Sequence, residues 1–342
     1  MKNVTIVSLS SGIIGEQKVK HETDIGVKRL NKIGLNVKFS SHALCGLQYI
    51  KDHPEDRARD LLDAYNDEKT DMILCANGGD DTYRLMPYLF DNDELKNAVK
   101  GKKKIFLGFS DTTFNHFMLH KLGVKTFYGQ SFLADICELD NDMLPYTYHY
   151  FNELVSTGSI SEIRPSDIWY EERTDFSKAA VGTKRVSHKN SGFELLQGSP
   201  VFSGEILGGC IDSIYDMFNN DRYSDSVDMC RKYSLFPSKE EWRGKILLLE
   251  SSEEQPSPEL YVKMLAELKN AGVFDAVNGV LVGKPMDERY YDDYKKILVD
   301  VIDNRYLPIV YNVNIGHATP RCIIPFGVNA RVDAKEQVIT FE

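Results

Sequence analysis

In Lys104-Ile105-Phe106-Leu107-Gly108-Phe109-Ser110-Asp111-Thr112-Thr113, a short apolar run from Ile105 to Leu107 has the character of a buried strand and stops at Gly108. A helical pattern follows, with Phe114, Phe117, Met118 and Leu122 at helix spacing. Ser110 therefore falls in a sharp strand-to-helix turn. There a hydroxyl is held clear of the sheet, and the first free N–H groups of the helix face any developing negative charge. That is the physics of a nucleophile elbow, with Thr112 standing where the Gly-x-Ser-x-Gly pattern has its last glycine. The competing reading is that Ser110 or Asp111 only caps the helix.

Working outward, Val4 to Leu9 is strand-like and ends at Ser10-Ser11-Gly12. A polar helix pattern runs from about Glu22 to Ile33, and a second strand follows Gly34. His53-Pro54 opens an amphipathic helix through Leu61, Leu62 and Tyr65. Thr70 to Ala76 is a third apolar strand that breaks at Asn77-Gly78-Gly79-Asp80-Asp81-Thr82, and Val124 to Tyr128 is a fifth. Strands alternating with helices at this spacing predict a doubly wound parallel sheet, with ligands bound beyond the carboxyl ends of its strands. The turns at Ser10–Gly12, Gly78–Asp81 and Ser110 all fall on that edge.

From Asn141 to about Pro200 the periodicity fades amid prolines and aromatics, which reads as a lid or as a variable linker. A second αβ pattern starts near Val201. Its strands include Lys245 to Glu250 and Leu307 to Val313, the latter followed by Asn314-Ile315-Gly316-His317, and Ile323–Val328 and Ala330–Thr340 read as closing strands. The expected division is a nucleophile-bearing α/β domain at 1–160, an irregular inter-domain or lid segment at 161–200, and a smaller C-terminal α/β domain at 201–342.

The bulk properties fit this scheme. A chain of 342 residues has room for two domains, and 42% hydrophobic with 27% charged residues supplies two cores. A net charge of −10 argues against nucleic acid or an anionic membrane as partner. Six scattered cysteines with no C-x-x-C pair fit reduced thiols in a cytoplasmic protein better than disulfides or a zinc site. Met1 to Leu9 reads as a first strand rather than a signal sequence, and no run approaches the length of a membrane span. Neither a metal nor a cofactor is expected.

Polar residues end three apolar strands: Ser110, Glu250 and His317. Acyl transfer by serine needs a base for the hydroxyl proton and an acid to fix the base's tautomer, and the order Ser…Glu…His is that of the α/β-hydrolases. Each also has a plainer reading. Glu250 can be a strand end meeting water, like its neighbours Glu253 and Glu254; His317 can be a satisfied turn residue; His116 and His120, on one helix, pack or face solvent. At the 77–82 turn the paired glycines let the backbone approach a ligand and offer a second oxyanion donor beside the N–H of Asp111. The same turn also resembles the Gly-Gly-Asp-Gly-Thr phosphate loop of NAD and diacylglycerol kinases, with Asp81 in place of a glycine.

Taken together, Ser10-Ser11-Gly12, Gly78-Gly79-Asp80-Asp81, Gly108-Phe109-Ser110-Asp111-Thr112-Thr113, Ile206-Leu207-Gly208-Gly209, Leu249-Glu250 and Gly316-His317 resemble the LD-carboxypeptidase family of serine peptidases along nearly the whole chain. Gly78-Gly79-Asp80-Asp81 is similar to the microcin C immunity branch, whereas the muramoyl-tetrapeptide carboxypeptidases carry Gly-Gly-Tyr-Gly there. The resemblance implies Ser110 as nucleophile, His317 as base, Glu250 as its orienting acid, and an oxyanion hole from the backbone N–H groups of Gly79 and Asp111. It implies a homodimer with the triad assembled across the domain interface, and hydrolysis of an aminoacyl-nucleotide-type amide. Gly78, Asp80, Trp169 and Phe176 are then expected at the substrate, the two aromatics as stacking surfaces for an adenine, and the loop Ser251–Ser257 would border the substrate. The alternatives are a muramoyl-tetrapeptide LD-carboxypeptidase and, in another class, a nucleotide-binding protein or kinase using the Gly78-Gly79 loop.

Overall fold

Five strands form the sheet expected from the first half of the chain: β1 (Asn3–Val7), β2 (Asn36–Phe39), β3 (Met72–Cys75), β4 (Ile105–Gly108) and β5 (Thr126–Tyr128). They pair in parallel in the order β5-β4-β3-β1-β2. That order reverses between β1 and β3, and the turns after these two strands meet there, Ser11 N–H donating to the Gly78 carbonyl at 3.0 Å. Such a switch point is where a doubly wound sheet opens a crevice. The computed structural model describes residues 1–342 and divides into two units: Met1–Ser159 with Arg173–Arg185, and Ile160–Glu172 with Val186–Glu342.

Three helices of the first unit position its polar edge. Helix α1 (Lys20–Lys32) buries Arg29, whose guanidinium donates to the carbonyls of Ile136, Glu138 and Asp140. Helix α2 (Pro54–Asn66) starts on a proline at its first turn and buries Arg57, Ala58, Leu61, Ala64 and Tyr65, one face of a 3.6-residue period. Helix α3 (Thr113–Lys121), which follows Ser110, is buried from Thr113 to Leu119. A further helix, α4 (Pro145–Thr157), occupies sequence read above as irregular. Its buried set, Thr147, Tyr150, Phe151, Leu154 and Val155, keeps helical spacing, and Pro145 is a start signal rather than a break. Interleaved Tyr and His masked the period. The 173–185 segment is pinned to this unit by Glu138, a buried carboxylate paired with Arg173 at 2.6 Å and Arg185 at 2.7 Å.

The second unit holds an eight-stranded sheet ordered β6-β16-β15-β10-β11-β12-β13-β9. Its strands are β6 (Glu162–Ile163), β9 (Glu194–Gln197), β10 (Val201–Cys210), β11 (Ile246–Glu250), β12 (Gly279–Gly283), β13 (Ile309–Val313), β15 (Asn329–Asp333) and β16 (Val338–Phe341). A two-stranded ribbon, β7 (Ile168–Tyr170) with β8 (Ser187–Lys189), and a short strand β14 (Ile324–Phe326) complete the set. β10 serves two neighbours: Val201–Glu205 runs antiparallel to β15, and Ile206–Cys210 runs parallel to β11. Every residue of β11, β12 and β13 is buried, as the continuous apolar runs require of strands covered on both faces. Helices α5 (Ile211–Tyr215), α6 (Pro258–Asn270) and α7 (Tyr291–Ile302) follow β10, β11 and β12. Ser257 caps α6, accepting from the Leu260 N–H at 3.3 Å. The run read as one closing strand from Ala330 to Thr340 is the hairpin β15–β16, with Gln337 at φ +52° in its turn. Expected to be the smaller, this unit is nearly equal in size to the first, since 160–172 and 186–200 join it.

Candidate active site

Ser110 stands at the carboxyl end of β4 with φ +66°, the left-handed region that a side chain adopts only under constraint. A strained strand-to-helix turn of this kind is the backbone a nucleophile elbow requires, and Ser110 itself is buried. Helix capping does not account for it. No side-chain cap bond forms at the start of α3, and the Asp111 carboxylate turns away to accept from Ser10 Oγ at 2.5 Å, Thr82 N–H at 2.9 Å and Thr82 Oγ1 at 2.6 Å. Burial raises the Asp111 pKa above the ordinary carboxylate range even against those hydrogen bonds. Ser110 N–H donates to the Tyr128 hydroxyl at 3.1 Å, and Thr112 Oγ1, where the elbow pattern has glycine, donates to the Phe109 carbonyl at 2.7 Å.

The turn after β3 is fitted to this serine. A Cβ on Gly78 would lie 2.6 Å from both Cβ and Oγ of Ser110 and 3.6 Å from the Asp111 nitrogen, so only glycine lets the two turns approach. Gly79 and Asp80 are exposed at the tip. Asp81, which stands where the phosphate loop has a glycine, points inward: it is buried and paired with the fully buried Arg57 at 2.5 Å. Arg57 also reaches the carbonyls of Leu9 at 3.2 Å and Ser10 at 3.4 Å. The pair ties α2 to both turns. His116 packs under the elbow, bonded to Thr126 Oγ1 at 2.7 Å and the Gly108 carbonyl at 3.1 Å, and its burial pushes its pKa down to about 3.

In the second unit, Glu250 at the end of β11 is buried, not a solvated strand end. Its Oε2 lies 2.7 Å from His317 Nδ1 and 3.3 Å from the His317 backbone nitrogen. A carboxylate can only accept, so Nδ1 carries the proton and Nε2 faces the opposite way. Gly316, at φ +86°, makes this possible: a Cβ there would fall 2.4 Å from Glu250 Oε2. Unforeseen in the sequence, Glu253 Oε2 approaches Nε2 at 2.9 Å from a side chain 64% exposed. Burial alone would lower the His317 pKa, but Glu250 and then Glu253 outweigh it and raise it to about 10. The hydrogen bond to His317 brings Glu253 down to about 2. Glu254 is turned to Arg222 at 2.9 Å.

Cys210, Glu250 and His317 present ligand atoms within 4.8 Å of one another. They suit a metal poorly, because burial raises the Cys210 thiol well above its ordinary pKa and its sulfur lies 3.6 Å from Asp212 Oδ2. Asp212 in turn accepts from the Ser252 N–H at 2.9 Å, fixing the start of the loop that carries Glu253. Of the aromatics singled out above, Trp169 is buried and its ring stacks with His188, centroids 4.4 Å apart, with Lys284 Nζ 5.0 Å from the ring centroid. Phe176 is 48% exposed. All six cysteines are free, five of them buried, and no helix is long and apolar enough to cross a membrane.

Comparison with known proteins places the chain in a family. Residues 4–129 match the model of the LD-carboxypeptidase N-terminal domain and residues 203–332 that of the LD-carboxypeptidase C-terminal domain. A solved MccF-like protein from Streptococcus pneumoniae, crystallised in complex with AMP, is 65% identical, with 100% of this chain and 98% of that one covered at a TM-score of 0.98. A probable murein peptide carboxypeptidase from Bacillus subtilis is 25% identical over 93% of this chain and 86% of its own. The microcin C7 self-immunity protein MccF of Escherichia coli is 24% identical over 96% and 90%.

Proposed function

Since this chain belongs to the LD-carboxypeptidase family and is a serine peptidase, we propose that it hydrolyses the amide between an aminoacyl group and a nucleotide-like moiety, as in the detoxification of processed microcin C. In this reading Ser110 Oγ attacks the carbonyl carbon and His317 Nε2 takes its proton. Glu250 holds the protonated Nδ1 and stabilises the imidazolium. The backbone N–H groups of Asp111 and Gly79 receive the oxyanion, a donor of this kind being worth about 10²–10³ in rate. Collapse passes the proton to the leaving nitrogen and leaves an acyl-serine, which water cleaves by the same route reversed.

The observation that carries the substrate class is the AMP held by a relative 65% identical along the whole chain. Phe176, exposed, has a ring face to offer a base, while Trp169 is already stacked with His188. Gly78 and Asp80 flank the reacting carbonyl in this scheme. The enzyme works as a cytoplasmic homodimer with no nucleic-acid or membrane partner. The kinase alternative has little support, since Arg57, the cation under the Gly78–Gly79 turn, is engaged by Asp81 and two carbonyls.

The second reading, release of a terminal D-amino acid from a murein tetrapeptide, is favoured by the Bacillus subtilis relative. Mass spectrometry on an aminoacyl-sulfamoyl adenylate and a murein tetrapeptide in parallel separates the two. Cleavage of the adenylate alone, abolished in Ser110→Ala, is expected. Release of D-alanine with the adenylate intact would overturn the proposal in favour of wall recycling, and turnover that survives Ser110→Ala would remove the serine from the mechanism.

A further inference from the structure

Ser110 follows closely on Gly108, the last residue of β4, and the sheet order places β5 on one side of β4 and β3 on the other. The side chain and the amide of this serine serve opposite neighbours. On the β3 side, a Cβ on Gly78 would lie 2.6 Å from Ser110 Oγ and 3.6 Å from the Asp111 nitrogen, so the hydroxyl and the next amide share that face. On the β5 side, the Ser110 N–H donates to the Tyr128 hydroxyl at 3.1 Å. Gly108 pairs with Tyr128 in the β4–β5 register, which sets the phenol beside the turn.

The phenol is itself held in place. Tyr128 is fully buried, and its ring packs on His116 with centroids 5.2 Å apart. His116 is bonded to Thr126 Oγ1 at 2.7 Å and to the Gly108 carbonyl at 3.1 Å, and that carbonyl also accepts from the Gly129 N–H at 3.1 Å. Thr113 Oγ1, at the start of α3, approaches the same phenol oxygen at 3.5 Å. A buried N–H left without an acceptor is costly, so the Tyr128 oxygen favours the backbone conformation, φ +66°, in which the Ser110 N–H reaches it. A phenylalanine ring at this position fills the same space and offers that N–H no acceptor.

Serine hydrolases complete an oxyanion hole in two ways. Some use the nucleophile's own N–H as a donor, whereas the nucleophile elbow uses the N–H of the next residue. We infer that Tyr128 is a positioning residue that selects the second way: its hydroxyl engages the Ser110 N–H on the β5 side, fixes Oγ toward the Gly78 turn, and leaves the Asp111 N–H as the oxyanion donor of the elbow. Tyr128 acts only through Ser110 and takes no part in proton transfer. The inference rests on Ser110 as the nucleophile, and it is the same for an aminoacyl-nucleotide and a murein peptide.

The test follows the labelling of full-length protein by an excess of a fluorophosphonate, with the labelled residue identified by mass spectrometry. Ser110 Oγ attacks phosphorus, its proton passes to the base, fluoride leaves, and the phosphoryl oxygen draws on the oxyanion donors. In Tyr128→Phe the rate constant should fall by about tenfold or more, with labelling still complete and the midpoint of its pH profile unmoved. Loss of fold would instead lower the fraction labelled. Replacement of Tyr128 by a ring-fluorinated tyrosine keeps ring and hydroxyl but weakens the oxygen as an acceptor, so its labelling should be slower than wild type even where Tyr128→Phe is unstable. A Tyr128→Phe rate within about twofold of wild type with Ser110 fully labelled, or an unchanged rate in the fluorinated protein, would overturn the inference alone. Wild-type protein that takes no label at Ser110 would remove the nucleophile, and the inference with it.

Discussion

Ser110 and His317 each stand beyond the end of a buried strand, but different forces fix them. At Ser110 the hold is geometric: a left-handed backbone, a glycine face with no room for a Cβ, and neutral donors gathered on Asp111. At His317 the hold is electrostatic, with a buried carboxylate on one ring nitrogen and a half-solvated one on the other. Neutral hydrogen bonds and sterics depend little on pH, whereas the charge on the imidazole is held by its carboxylate partners up to about pH 10. The comparison teaches that the position of Ser110 is set by shape, and that the state of the His317 ring is set by charge.

The largest effect that can break this contrast is expected at Glu250. Glu250→Gln keeps the volume but can present an amide N–H to Nδ1, which drives the ring to the wrong tautomer. A loss of kcat of about 10⁴-fold is expected, by analogy with the same change in a serine protease triad. Steady-state kinetics alongside an unchanged circular-dichroism spectrum would check it, and a loss under tenfold would mean Glu250 only fills space. On the geometric side, Gly78→Ala puts a methyl 2.6 Å from Ser110 Oγ. We expect kcat to fall by about 10²-fold, the scale of a 1 Å misplacement at a reacting centre, with a pH profile that keeps its midpoint. A moved midpoint would show that the two sites are not controlled separately.

The same contrast explains what the sequence made legible. The elbow is local: strand, glycine, serine and helix follow within ten residues, so periodicity exposes it, and the parallel sheet follows from repeated strand–helix alternation. Ser257-Pro258 at the head of α6 is equally local. The role of Asp81 was not legible because its partner Arg57 lies 24 residues away on a helix face, and nothing in the pattern reports a buried ion pair. Glu253 was indistinguishable from Glu254 in sequence. One meets the imidazole and the other Arg222, a choice made by the Asp212–Ser252 bond that aims the loop. Helix α4 was hidden for another reason, since alternating Tyr and His blur the apolar period although its buried positions keep it.

The finest test of the contrast is Glu253→Gln, which removes a charge and leaves a side chain of the same size. With its pKa raised from 6.5 to about 10, His317 contributes stability that is fully present below pH 6.5 and is lost as pH rises through about 10. Glu253, lowered from 4.5 to about 2, contributes stability present above pH 4.5 and lost as pH falls through about 2. Their joint contribution to stability is thus full between about pH 4.5 and 6.5. In the folded protein the attraction keeps the ring charged up to about pH 10, and general-base catalysis needs the neutral ring, so the attraction opposes activity below that pH. In Glu253→Gln the rising limb of kcat/KM against pH should move to lower pH, giving a variant several-fold faster than wild type near pH 7 and equal to it once both rings are neutral. The same substitution should leave the pH profile of Ser110 acylation by an activated ester, measured above pH 10, unchanged. A rising limb that stays in place would mean Glu253 leaves Nε2 before the base acts, and that Glu250 alone sets the charge on the ring.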